Sequence, residues 1–261
     1  MRDTVSAICL ATDTQSNKVK VPDNVHKKWD AMMDEYNPIM ARIDGMRQTG
    51  STSFKSRSGK VVDLNELIST LSSVLYKLGW AGRSLEYLLE FQEKHGGSLE
   101  DAEQSLTEAI PDVLFFKADV FFSFAYSALD IAAEAINMLI ETDLDDAQVY
   151  FRRVIDILTK STYANDMFRM LQKESNEGWI HELRQYRIVV THRQGISTQS
   201  SFSYTTRDHS VEINLYMIPD DPLKRPLAYE DKRELAPYCL DVIEKEIPII
   251  EGLFKFMGTL I

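Results

Sequence analysis

The chain has 261 residues, 44% of them hydrophobic, which is enough for a sizeable core in one large domain or two small ones. A formal net charge of −11 argues against broad nonspecific nucleic-acid binding, because that binding is driven by counterion release from phosphates. Two cysteines, Cys9 and Cys239, exclude a disulfide framework, and no apolar uncharged run approaches the roughly 20 residues that span a bilayer, so a soluble cytoplasmic protein is expected, with no membrane contact.

In chain order, Val5 to Ala11 reads as a short strand, and the apolar patch within it is shorter than the core of a signal peptide. Asp23 or Asn24 then opens a helix to about Arg47, with Trp29, Met32, Met33, Tyr36, Ile39, Met40 and Ile43 at three-and-four spacing and a kink at Pro38. Residues 48–60 form a Ser/Gly/basic stretch that reads as a mobile loop. It is no Walker loop, since Phe54 stands where the first glycine belongs and Val61 follows Gly59-Lys60. Asp63 starts a long helix to about His95, and Gly96-Gly97-Ser98 leads to an acidic helix ending at Ile110. Pro111 suits the first turn of a helix to about Ile140 that is apolar almost all round and must be central.

One line on that central helix is polar. Ser123, Ser127, Asp130, Glu134 and Asn137 recur at spacings of four and three and so share a seam. Buried carboxylates there need partners, which Arg152, Arg184 or Arg187 can supply, and Asp130 or Glu134 is a candidate to orient a catalytic group. Solvated faces and structural ion pairs explain the same seam. Asp145 or Asp146 opens a further helix through Lys160, and another runs from about Tyr163 to Lys173. Residues 201–206 and 211–217 read as the strands of a hairpin, and the last helix runs from about Glu230, kinked at Pro248.

The stretch from Leu183 to Arg193 carries the chemistry. Asn176 is a candidate cap, Glu177 suits a first turn, and Gly195 is a natural stop, so a helix ending just beyond His192 is expected. The competing reading is a strand, because Ile188 to Thr191 is a β-branched run. In a strand Arg187 and His192 point to opposite faces; in a helix they stand about 140° apart. The carbonyls at a helix end favour an imidazolium that trades protons near neutral pH. The local charge also fits an anionic ligand better than the chain average: residues 151–200 hold eight Lys/Arg against five Asp/Glu, whereas residues 81–150 hold three against fifteen.

Arg187-x4-His192, near the end of a helix in a helical region, resembles the R-x4-6-H signature of the HEPN superfamily. The resemblance covers about residues 114–193. It implies a mainly α fold, an antiparallel HEPN-like helical bundle, here with a β-hairpin inserted before the last helix, all in one domain over 1–261. It further implies a metal-independent ribonuclease that pairs two subunits. Arg187 and His192 would then be catalytic, Arg184 and Arg193 would bind flanking phosphates, and RNA would be the substrate, with no cofactor and no metal. Active members usually carry a small polar residue after the arginine, where this chain has Ile188. The alternative expectation is therefore a catalytically inactive HEPN-like scaffold or the partner half of a two-protein system. A dimetal bundle enzyme built on Asp130 and Glu134 is disfavoured, because no Glu-x-x-His pair occurs.

Overall fold

The computed structural model describes residues 21–96, 112–140, 142, 144, 148–192, 199–205 and 210–261. The described residues are mainly helical. Their order is α1 (Asp23–Gln48), β1 (Ser53–Lys55), β2 (Val61–Asp63), α2 (Leu64–Gly96), α3 (Asp112–Leu139), α4 (Phe151–Leu158), α5 (Asp166–Glu177), α6 (Trp179–His192), β3 (Gln199–Thr205), β4 (Ser210–Met217) and α7 (Leu235–Leu260). The expected strand at Val5–Ala11, the acidic helix up to Ile110 and the stop at Gly195 lie outside the described residues.

By contact the chain divides into two compact units, each assembled from three stretches. The first contains residues 79–124 and 182–243. In it Phe122 stacks on Tyr186 with centroids 4.7 Å apart, and Tyr238 closes the cluster at 5.4 Å from Tyr186. The expected hairpin forms: β3 and β4 pair antiparallel with Phe202 opposite Ile213. Beyond it the chain makes an excursion that returns along itself, Met217 bridging to Glu234 and the Ile218 N–H donating to the Arg233 carbonyl at 2.8 Å. This pairing occupies the residues up to Glu234, so α7 begins at Leu235 and not near Glu230.

The second unit contains residues 22–78, 125–181 and 244–261. Helices α1 and α7 run side by side in the same direction: Asn24 meets Glu244, Tyr36 meets Phe254 with centroids 5.3 Å apart, and Arg42 donates to the Gly258 carbonyl. Phe168 of α5 packs edge-on against Phe256, and Gly252 admits Met167 so closely that an added Cβ would stand 2.8 Å from its sulfur. Helix α1 buries Met32, Tyr36, Ile39 and Ile43 of the stripe read from the sequence, and Val25 besides, while Trp29, Met33 and Met40 of that stripe are only half-buried. It stops where Gly50 takes φ +82°, with its N–H 2.9 Å from the Arg47 carbonyl. Asp63 caps α2 as expected, its Oδ1 accepting from the Asn65 and Glu66 N–H groups at 2.8 and 3.0 Å.

Three expectations are corrected, the first two because a partner comes from far along the chain. The stretch at 48–60 is no mobile loop but the β1–β2 hairpin, with Phe54 opposite Val62. Its turn is held because Ser58 Oγ and Lys60 Nζ each donate, at 2.7 Å, to the Leu139 and Asn137 carbonyls at the end of α3, groups that have no partner within their own helix. Helix α4 starts at Phe151, later than Asp145 or Asp146, and its first N–H is satisfied by Asp130 Oδ1 at 3.0 Å. Asn176 and Glu177 belong to α5, which starts at Asp166 with Asn165 as its cap; Gly178 breaks the chain, and the Trp179 N–H that opens α6 finds Glu174 Oε2 at 3.2 Å.

Candidate functional site

Residues 183–192 are helical, so the β-branched run yields to packing: Leu183, Tyr186 and Val189 recur every three residues and are buried. Tyr186 is the anchor. Its ring lies against Phe122 and Tyr238, and its hydroxyl donates to the Pro219 carbonyl at 2.5 Å. Burial, first among the causes, raises the Tyr186 and Tyr238 hydroxyls well above the usual phenol range, so both rings stay neutral.

Arg187 follows the anchor by one residue and stands about 100° round the helix from it. It is half-buried, and its carbonyl accepts from Thr191 Oγ1 at 2.8 Å. Arg184, also half-buried, lies about 60° from Arg187 on the same helix. His192 is the last residue of α6, about 140° from Arg187. Arg193 lies outside the described residues. One helix thus carries Arg184, Arg187 and His192.

Asp130 and Glu134 lie one turn apart on α3, in the second unit. Asp130 is half-buried and accepts the first N–H of α4, so one oxygen of this candidate orienting group serves the fold. Glu134 is exposed and lines a cavity with Asn137, the last member of the polar seam. Among the described residues no three His, Cys, Asp or Glu side chains are placed to hold a metal ion, and no helix is long and apolar enough to cross a membrane.

Two charged groups escaped the sequence reading. Arg233 pairs with Glu182 at 2.9 Å and with Asp231 at 3.6 Å, and its guanidinium lies 5.2 Å over the Tyr238 ring. Burial works against its charge, but the carboxylates of Glu182 and Asp231 outweigh that and raise its pKa. Glu182 sits on the first turns of α6, so this ion pair anchors the helix that carries Arg184 and Arg187. No local signal announces a pair 51 residues apart in sequence. The other is Glu246 on α7, wholly buried, with neither carboxylate oxygen hydrogen-bonded to a described residue. Here a signal existed, because Glu246 falls on the stripe of Val242, Ile243, Ile249 and Ile250.

Compared with models of known protein families, with curated proteins and with solved structures, the chain shows no match.

Proposed function

We propose that the protein is a metal-independent endoribonuclease of the HEPN type that uses Arg187 and His192. The observation that carries this reading is the helical state of residues 179–192, which carries both Arg187 and His192 and sets Arg187 beside a rigidly held Tyr186. In this reading the RNA's own 2′-OH attacks the adjacent phosphate. His192 moves the proton, and Arg187 holds the phosphate oxygens as charge builds on them. Arg184 and Arg193 bind flanking phosphates. The roughly 140° between the two catalytic groups suits a cleft formed by two subunits, each giving one side, so a homodimer is part of the proposal. The reaction draws on the 2′-OH, so DNA is spared. Ile188, half-buried directly after the arginine, supports the second reading, an inactive HEPN-like scaffold that binds a protein partner.

The test is cleavage of a mixed single-stranded RNA pool in EDTA by the wild type and by His192→Ala, with analysis of the product ends. Cutting to 2′,3′-cyclic phosphates, reduced about 100-fold or more in His192→Ala, is the expected result for a lost general acid–base. A folded wild type that leaves the whole pool intact refutes the nuclease and turns the search to a protein partner.

A further inference from the structure

In the second unit the β1–β2 hairpin is a basic island in an acidic chain. Residues 45–62 hold four Lys/Arg and no Asp or Glu, whereas the whole chain holds 29 Lys/Arg against 40 Asp/Glu. A run of like charge is usually a solvated face, so the placement of each cation decides what it can do. Lys60 serves the fold, because its Nζ donates to the Asn137 carbonyl at the end of α3. Arg47 lies beside Asp44, 3.9 Å away. Lys55 and Arg57 are exposed, and neither pairs with a carboxylate of any described residue.

The hairpin presents these two cations on a fixed frame. Ser56 between them is buried and Phe54 before them is half-buried, so Ser53, Lys55 and Arg57 form one exposed row. The Arg57 N–H donates to the Leu260 carbonyl at 2.8 Å and Ser58 Oγ to the Leu139 carbonyl at 2.7 Å, which fastens the turn to the ends of α7 and α3. Gly59, at φ +98°, lets the turn close under Lys55, whose Cε lies 3.7 Å from where a Cβ would stand. In extended chain alternate residues stand about 6–7 Å apart, comparable to the step between neighbouring phosphates of an unstacked nucleic-acid strand. Little backbone ordering is left to be done on binding.

We infer that this hairpin binds the phosphodiester backbone of single-stranded nucleic acid, with Lys55 and Arg57 on successive phosphates and the Ser53 hydroxyl donating to the next. Such contacts position a strand without reading its bases, and they do not involve the 2′-OH, so RNA and DNA are held alike. A membrane surface fits less well, because the hairpin exposes one large apolar side chain, Val61, where a segment that inserts among lipids needs an apolar face. The inference is independent of the ribonuclease reading, since an oligothymidine, which has no 2′-OH to attack, is held whether or not RNA is cut.

Fluorescence anisotropy of a labelled oligothymidine titrated with the full chain, over a series of salt concentrations at neutral pH, tests the assignment. Saturable binding at low salt is expected. Lys55→Ala/Arg57→Ala changes exposed residues, so it should melt at the wild-type temperature yet bind about tenfold more weakly. Its plot of log affinity against log salt should be shallower by about 1.4, at about 0.7 for each lost phosphate contact. Lys27→Ala/Lys173→Ala removes the same charge from exposed positions elsewhere and should leave affinity and slope close to wild type. Absence of saturable binding by the wild type overturns the proposal, as does an equal loss in the Lys27/Lys173 variant. Phosphatidylserine vesicles are the second ligand. Vesicle binding that the hairpin variant loses, with oligothymidine binding unaltered, assigns the hairpin to a membrane and overturns the proposal too.

Discussion

Replacing Glu246 by glutamine is expected to stabilise the protein, and to do so far more at pH 8 than at pH 4.5. Glu246 is wholly buried on α7 and its carboxylate has no hydrogen-bond partner among the described residues. Burial pushes its pKa well above the ordinary carboxylate range, so the folded chain keeps this proton where the unfolded chain releases it. The sign follows from proton counting. Above the unfolded value of about 4.3 the folded state binds more protons, so its stability is complete below that pH and is lost as pH rises towards the folded value. Each unit of separation is worth about 1.4 kcal/mol. A buried, unpartnered polar group typically costs about 1–3 kcal/mol, and for a chain of this size each kcal/mol moves the melting temperature by about 2–4 °C. Glu246→Gln, which cannot ionise, should therefore melt above wild type at pH 8, by about 2–4 °C for each kcal/mol of that linkage, and close to it at pH 4.5. Glu246→Leu removes the polar burial as well and should gain a few degrees more at either pH. Circular-dichroism melts at pH 4.5, 6 and 8 and matched ionic strength read this directly. A constant separation between wild type and Glu246→Gln across that range refutes the reasoning, since it means that the carboxyl titrates as it does in the unfolded chain.

Two further substitutions probe contacts that position the candidate site and its neighbouring helix. Tyr186→Phe keeps the ring against Phe122 and Tyr238 but orphans the Pro219 carbonyl; a loss of about 1–3 kcal/mol in urea unfolding is expected, and an unchanged midpoint would show that water replaces the hydroxyl. Asn165→Ala removes the 3.0 Å bond to the Phe168 N–H that caps α5, which should cost about 1 kcal/mol, while Asn165→Asp should retain the cap; thermal melts of the pair separate the two.

The candidate site was partly legible. Arg184, Arg187 and His192 lie on one helix, as their spacing required once residues 183–192 were helical, and that choice came from the apolar period of Leu183, Tyr186 and Val189 prevailing over the strand preference of Ile188 to Thr191. Arg233 was not legible, because its worth depends on Glu182 and Tyr238, which only folding brings to it. Asp130 was singled out as a polar group on an apolar helix, but its observed task, accepting the first N–H of α4, depends on where that helix starts in space.

What the sequence by itself determined is what neighbours along the chain decide: which stretches are mainly helical, most of the residues of α1 that face inward, the start of α2 at Asp63, and the antiparallel hairpin before the last helix. These follow from side-chain periodicity and from hydrogen bonds that close within three or four residues. Tertiary structure decided the rest. It turned residues 48–60 into a hairpin because α3 ends in carbonyls that Ser58 and Lys60 can reach, it delayed α4 and α7, and it placed an ionisable Glu246 in the interior. Each of those outcomes depends on a group tens of residues away or on exclusion from water. Neither is encoded in the local spacing of a chain, so only the folded arrangement sets them.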